Sequence, residues 1–594
     1  MASKPSDQSD GALRLVISCD GADQEGLPLI SVTIRKALNS VPWARIVLAD
    51  GDMPEGKMPQ SDAALFKPGA KLAIRAGYGD QDTQIFAGLL VRHGLKISAG
   101  NDARLVLECR DAACKMTLGR RSANYVDQKD SDIISGLIER AGLSATVQAS
   151  DISHKELVQY YCSDWDFMLS RAQALGMVVR VDDGAVHIAA PEAGSAALSV
   201  AWGDELMDFQ ADIDARSQWK AVQAASWSLS SQALLQSASS ASTAVGSQGD
   251  LDGATLSAVA GPSTLQLQSS APQEQAALEA WAKATQLRAA LARVRGRMSF
   301  QGTALAKPGV VVALSGVGTR FSGDVYLSAV EHQLVDGNWI CLAEFGLDPE
   351  LHTQRGDVQA PPGAGLLPGV GGLQIGKVIK LDGDPEGQNK IQVSLPTWQC
   401  ETEGVWARLL QFHASSGFGA FFLPEVGDEV LLGYLNDDPC HPVVLGSLYS
   451  SARTPPYALA AENDTKALVT RCQHRFEFNE ADKIITLTTP AKNQLVLDDK
   501  DQSILIKDQH GNSIKLSSEG IALDSPKDIK LNAKGGISLE AVNAITLKSQ
   551  ADFKANALNI SCEAQMALSA KGSASAELSA SGQTTVKGAL VMIN

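Results

Sequence analysis

The chain has 594 residues, 44% of them hydrophobic and 20% charged, with 51 basic against 67 acidic side chains for a net charge of −16. That length holds three or more domains, and that charge argues against nucleic acid or an anionic membrane as the main partner. No run of about 18 apolar residues occurs, so no transmembrane helix is expected. The polar start, Met1 to Gly11, lacks the apolar stretch of a signal peptide. Nine cysteines, Cys19, Cys109, Cys114, Cys162, Cys341, Cys400, Cys440, Cys472 and Cys562, are odd in number and irregular in spacing. They predict reduced thiols and synthesis in a cytosol, with any export by a route other than a signal peptide.

Residues 12–110 read as strands around Leu13–Ile17, Ala44–Leu48, Lys71–Arg75 and Ala103–Leu107, some of them separated by turn signals such as Asp50-Gly51-Asp52. Ser131–Ala141 carries Ile133, Ile134, Leu137 and Ile138 on one helical face and stops at Gly142. Ser163 caps a second helix that runs to Leu175, before a hairpin turning at Asp182-Asp183-Gly184. The Ser/Ala/Gly/Gln-rich stretch 228–270 reads as a mobile or weakly ordered insertion. Pro272–Arg295 predicts the longest helix, strands return over 310–347, and the Pro/Gly-rich linker 361–374 marks a domain boundary. Residues 375–450 predict five strands in a small closed barrel of the OB type. Its tight segments are acidic, at Glu425, Asp428, Glu429, Asp437 and Asp438, so it reads as a structural adaptor rather than a nucleic-acid binder.

After a connector at 451–478, residues 479–594 carry a repeat of eight. Ile521, Ile529, Ile537, Ile545 and Phe553 stand eight apart, and Leu523, Leu531, Leu539 and Leu547 follow the first four by two. After a slip the pattern resumes with Leu558 and Ile560, Met566 and Leu568, Ala576 and Leu578, and Thr584 and Val586. Each triad, such as Ile521-Ala522-Leu523, sends two apolar side chains to one face of a short strand, and turn-prone polar residues fill the rest. Eight residues are too few for one chain to coil around its own core. Three copies wound about one axis would bury the pairs and leave no lateral sheet edge. With one strand spacing of roughly 4.8 Å per octad, the prism would be about 60–70 Å long.

Several stretches resemble one family, the VgrG-like spike proteins of contractile injection systems. Phe422-Leu423-Pro424-Glu425-Val426-Gly427-Asp428-Glu429-Val430-Leu431, continuing through Asp438-Pro439-Cys440-His441-Pro442 to Tyr449, is similar to the signature of that family's OB barrel. Asp384-Pro385-Glu386-Gly387-Gln388 looks like its first hairpin. Cys109-Arg110-Asp111-Ala112, Ser163-Asp164-Trp165-Asp166-Phe167-Met168 and Phe321–Tyr326 with Val330-Glu331-His332 resemble its hub. The resemblance implies a mainly β protein with a trimeric hub of β-barrel-containing domains at 1–360, an OB neck and an intertwined trimeric β-helix needle. It further implies contacts with inner-tube and baseplate proteins, a PAAR-type tip protein seated on Leu590, Val591, Met592, Ile593 and Asn594, and effector cargo. Assembly would be cytoplasmic and membrane contact only transient, as part of a secreted or injected particle. Pro42-Trp43-Ala44-Arg45 and Trp165-Asp166-Phe167 look closest to extracellular phage-tail-like particles, then to type VI secretion and prophage tails.

No cofactor, metal or catalytic site is expected. The segment between barrel and needle is too short for a lysozyme domain, and the chain ends in the repeat rather than in a toxic domain. The last histidine, His510, stands far from the tip, which argues against a histidine-built tip metal. His332 lacks the second histidine of a zinc-protease helix and reads as a strand residue. Asp382-Gly383-Asp384 reads as a hairpin turn rather than a calcium loop. Two further readings remain at this point. One is a trimeric fibre whose OB head binds polysaccharide or a receptor through Trp398, Phe412, Phe418, Phe421 and Phe422; the other is a cell-wall hydrolase.

Overall fold

The computed structural model describes residues 2–8, 10–100, 102–241, 245–260, 262–399 and 403–593; Cys400 and Asn594 lie outside them. The chain divides into two compact units, Met1–Leu448 and Tyr449–Asn594. In the first, the early apolar alternations become the strands Leu13–Cys19, Trp43–Asp50, Lys71–Tyr78 and Asp102–Arg110 of a 13-stranded sheet. In Trp43–Asp50, Ala44, Ile46 and Leu48 point into the core while Arg45 faces out, as a period of two requires. The far end of the hub sequence joins the same sheet: Gly323–Val335 pairs antiparallel with Leu29–Ala37, with His332 opposite Ile34. One core gathers Ile34, Ile46, Ile74, Phe86, Leu105 and Trp339, and a second Met298, Phe300, Leu327, Val330 and Phe345.

The helices Asp130–Arg140 and Asp164–Ala174 pack with the small sheet Ser144–Val147, Val178–Asp182 and Ala185–Ala189. Ser163 accepts the Asp166 N–H at 3.1 Å, the predicted cap. Trp165 and Phe167 are buried in this core, so the hub motif they belong to is held by packing.

The reading of 228–270 as mobile or weakly ordered needs correction. Ala233–Gln236, Ser240–Ala241 and Thr264–Ser269 all pair with Ala221–Ser228, and Gly253–Ala260 is helical. Val222 and Ala224 of this sheet pack against Leu278 and Ala282 of the helix Gln275–Ala292. Leu235, Leu265 and Leu267 of the stretch are partly buried against that core, so a segment that reads as low complexity contributes to packing instead.

The predicted barrel is closed. Gln374–Lys380, Ile391–Ser394, Val405–Leu409, Pro442–Ser447 and Glu429–Tyr434 follow one another around it, with Val405–Leu409 and Pro442–Ser447 parallel. Val378, Val393, Ala407, Val430, Leu432 and Val444 fill its interior. Asp384 accepts the backbone N–H groups of Glu386, Gln388 and Lys390 at 3.1, 2.7 and 3.1 Å, so its carboxylate is committed to the hairpin turn.

The second unit holds a seven-stranded antiparallel meander of Thr465–Val469, Arg475–Asn479, Ile484–Thr488, Gln494–Asp498, Ser503–Lys507, Ser513–Ser517 and Gly520–Asp524. The first of these strands, and all but the last residue of the second, lie in the expected connector 451–478. The first octad pair, Ile521 and Leu523, belongs to the last strand and pairs with Leu516 and Ile514 of the same chain. One strand per octad therefore does not describe that pair. Among the described residues, 525–593 form no strand or helix.

Candidate functional site

The meander is one-sided. Each of its last six strands carries two apolar residues separated by one, and the register aligns them in two adjacent columns. One column runs Phe476, Leu487, Leu495, Ile506, Ile514, Leu523; the other runs Phe478, Ile485, Leu497, Ile504, Leu516, Ile521. Positions two apart share a face of a strand, so all twelve project to the same side of the sheet. Phe476 and Phe478 stand with ring centroids 4.6 Å apart. The sheet and the start of the octads border a cleft of about 740 Å³ whose walls include His474, Leu487, Leu495, Ile514, Leu523 and Ile529.

Local chemistry holds this form. The turn 508–512 is closed by Asp508, whose carboxylate accepts the N–H groups of His510 and Asn512 at 2.9 and 2.8 Å and the Asn512 side-chain amide at 2.6 Å. The Asn512 bond leads the causes that hold the Asp508 pKa below its ordinary value. Gly511 in the same turn adopts φ 95°, which a residue with a Cβ takes only at a cost.

Across the whole second unit, no described residue is buried. Ile521, Leu523, Ile529, Leu531, Ile537, Leu539, Ile545 and Leu547 are 53–74% exposed, and Leu590, Val591, Met592 and Ile593 are exposed as well. A sheet with one apolar face and nothing against it, followed by apolar pairs with no strand partner, lacks what offsets the entropy of ordering a chain. The second unit does not itself supply a core for these residues. The ten apolar residues from Phe476 to Leu516, which sequence reasoning passed over, belong to the same surface. Their signal is the same apolar–x–apolar triad, recurring every nine or ten residues instead of eight.

Two charged clusters of the first unit, around Asp130 and Lys36, are internal ties. Asp130 is buried and binds Arg171 Nε at 2.7 Å and His154 Nε2 at 2.8 Å. Burial pushes its pKa up, but the Arg171 and His154 bonds outweigh that and leave it below the ordinary carboxylate range. Lys36, also buried, reaches Asp182 at 2.6 Å and Asp183 at 3.3 Å, fastening the small sheet to the large one. His332 is buried within Gly323–Val335, as the strand reading expects. Among the described residues, no group of His, Cys, Asp and Glu is placed to hold a metal ion, and no helix is long and apolar enough to cross a membrane.

Comparison with known proteins divides the chain along the same lines. The family described as the Alg8 N-terminal domain matches residues 9–336. The type VI secretion system/phage-baseplate injector OB domain matches 374–449, and the phage baseplate V C-terminal trimerisation domain matches 484–547. Among curated relatives, the actin cross-linking toxin VgrG1 of Vibrio cholerae is 32% identical over 122 residues, 19% of this chain and 11% of that protein. The type VI secretion system spike protein VgrG3 of the same species is 28% identical over 158 residues, 25% of this chain and 15% of that protein. The chain thus spans only a small part of the length of the curated relatives it matches. A 43 kDa tail protein of prophage MuSo2 from Shewanella oneidensis superposes with a TM-score of 0.44 at 10% identity, covering 57% of this chain and 99% of that one. The E. coli c3393 protein, a type VI secretion component, gives a TM-score of 0.36 at 14% identity, covering 73% and 99%.

Proposed function

The chain belongs to the Alg8 N-terminal domain family, and on that premise we propose that it is the homotrimeric central spike of a contractile injection system. The observation that carries the reading is the second unit, which exposes one continuous set of apolar pairs and buries none of its described residues. Three such surfaces turned toward one axis would supply each other's core and close the free strand edges. The match of 484–547 to a trimerisation domain supports the number three. The match of 374–449 to an injector OB domain supports the barrel as a neck between hub and needle.

The function is mechanical. A contracting sheath drives the needle through a target envelope, and stiffness comes from backbone hydrogen bonds closed between chains. The exterior of Ser, Lys, Asn and Asp, with no Trp after Trp406 and no Tyr after Tyr457, offers little that anchors at a lipid interface. In this reading the hub meets the inner tube and baseplate, the terminal apolar residues seat a PAAR-type tip protein, and effectors travel with the particle. The chain is assembled in the cytoplasm and carries out no catalytic step.

The test is the solution mass of the purified full chain by light scattering, with negative-stain images of the same sample. A mass of three chains with a thin projection from a wider head is the expected result. A monomer at micromolar concentration would overturn the homotrimer.

A further inference from the structure

The barrel carries a second apolar surface, apart from the repeat. Phe412, Phe418, Phe421 and Phe422 are 87%, 67%, 83% and 56% exposed, and Leu410 beside them is exposed too. At about 150–250 Å² for a whole aromatic side chain, they present on the order of 500 Å² of aromatic surface along one loop.

The loop that carries them is a fixed structure. Ala420 N–H donates to His413 O at 2.8 Å, and Ser415 N–H to Phe418 O at 3.0 Å. Ala414 bridges Gly419, and Gln411 Nε2 donates to Phe422 O at 2.8 Å. Gly419 adopts φ 139°, and a Cβ there would stand 2.7 Å from His413 O, so the tight pinch requires glycine. The His413 and Phe418 rings meet edge to face at 5.7 Å. Hydrogen bonds that hold four phenylalanines outward, with none turned into the barrel core, mark a surface built to be covered.

We infer that the loop Leu410–Phe422 packs against its counterparts in two further copies of this chain, forming an apolar collar around the trimer axis at the barrel. This deepens the homotrimer reading and rests on it. Residues 410–422 contain no carboxylate, lysine or arginine, so they offer no charged group to sugar hydroxyls or lipid headgroups. The nearest charges in sequence are Arg408 before the loop and Glu425 and Asp428 after it, a mixed set with no cluster of basic residues for an anionic membrane surface. An aromatic surface of this kind fits another apolar protein surface. The segment matched to a trimerisation domain begins at 484, shortly after the barrel, so three chains joined there hold three barrels at high effective concentration. A standard interface buries about 800 Å² per partner. The loop alone is therefore too small to hold free copies together, and it suits a contact between copies already tethered.

The experiment uses the full chain with Phe421→Cys, maleimide labelling under native conditions and peptide mass spectrometry of each thiol. Light scattering on the same sample gives the mass. A three-chain mass with Cys modification at position 421 at least tenfold slower than at Cys472, an exposed turn thiol, is expected. A three-chain mass with both thiols labelled equally would overturn the collar and leave the homotrimer standing. So would protection that appears only after a polysaccharide or lipid vesicle is added. A one-chain mass for the unsubstituted chain would overturn the homotrimer and the collar with it. If the variant does not fold, deuterium uptake of 411–422 in the unsubstituted trimer decides: slow exchange supports the collar, and uptake at the rate of an open loop overturns it.

Discussion

Trp339 donates its indole N–H to Nδ1 of His332 at 3.3 Å, across the turn that joins two central strands of the hub sheet. Cys341 Sγ lies 3.2 Å from the same nitrogen. The indole donor needs that nitrogen to keep its lone pair, so the ring is neutral. Burial first, and then the charges of Lys36 and Lys307, lower the His332 pKa to about 3. The unfolded chain titrates this histidine near its ordinary value of about 6.5. Between those values the unfolded state binds a proton that the folded state refuses, so stability falls as pH drops. The urea midpoint of the hub transition is expected to decline from about pH 6.5 downward, following a loss of unfolding free energy on the order of a few kcal/mol at pH 4. His332→Asn keeps an acceptor without the titration and should flatten that slope. An unchanged slope in the variant would assign the effect to other groups.

Arg120 fastens the segment leading out of the hub. Its Nη1 donates to Gln359 O at 2.7 Å, Tyr161 O at 3.3 Å and Val358 O at 3.4 Å, and its Nη2 donates to Asp357 O. Tyr161 sits in a β-bulge with φ 39°, an unusual conformation for an aromatic residue. Hydrogen bonds to a charged group contribute about 1.5–3 kcal/mol each to stability. Arg120→Ala should therefore open residues 355–372 locally and raise their rate of limited proteolysis about tenfold or more. The hub melting temperature should move little. Cleavage at the unsubstituted rate would show that other contacts hold the segment.

Much of this architecture was legible because period-two alternation survives into three dimensions. Ala44, Ile46 and Leu48 alternate in sequence and point inward together in the sheet. The octads were equally plain, since Ile529, Ile537 and Ile545 are evenly spaced. The meander before them was missed because its turns vary in length, so Phe476, Ile485, Leu495, Ile504 and Ile514 drift out of any fixed period. What stays constant is the triad within each strand. Residues 228–270 misled for another reason: Leu235, Leu265 and Leu267 find a core only with Val222, Leu278 and Ala282 outside the stretch, a fact that no local window contains. Arg120 and the carbonyls of Asp357, Val358 and Gln359 lie more than two hundred residues apart in sequence, beyond any local motif.

The thiols divide by environment. Cys109 and Cys341 are buried, and burial pushes both pKa values up to about 12, which leaves almost no thiolate at neutral pH. Cys472 and Cys562 are exposed in the single chain. N-Ethylmaleimide is expected to label Cys472 rapidly and to spare Cys109 and Cys341 until denaturant is added. Cys562 is the informative one. The alternation Leu558, Ile560, Cys562 places it on the apolar face, so assembly should slow its labelling well below that of Cys472. Equal rates at the two sites in a three-chain particle would place this stretch of the repeat outside the shared core.

Ile529 and Ile537 give the sharpest test of the repeat. Both are more than half exposed in the single chain, where an aspartate at either position would meet water and cost little. In a threefold prism each position occurs three times around the axis. Ile529→Asp with Ile537→Asp would then force six carboxylates into an apolar interior with no counter-charge. Isolated buried charges are prohibitively costly unless they protonate. The double variant should sediment as a single chain at neutral pH, with the hub and barrel still folded by circular dichroism. Like-charged carboxylates brought together have raised pKa values, so some association should return as the pH falls toward 4. An intact, heat-resistant trimer at pH 7 would refute the prism, because these side chains would then have to face solvent in the assembly as well.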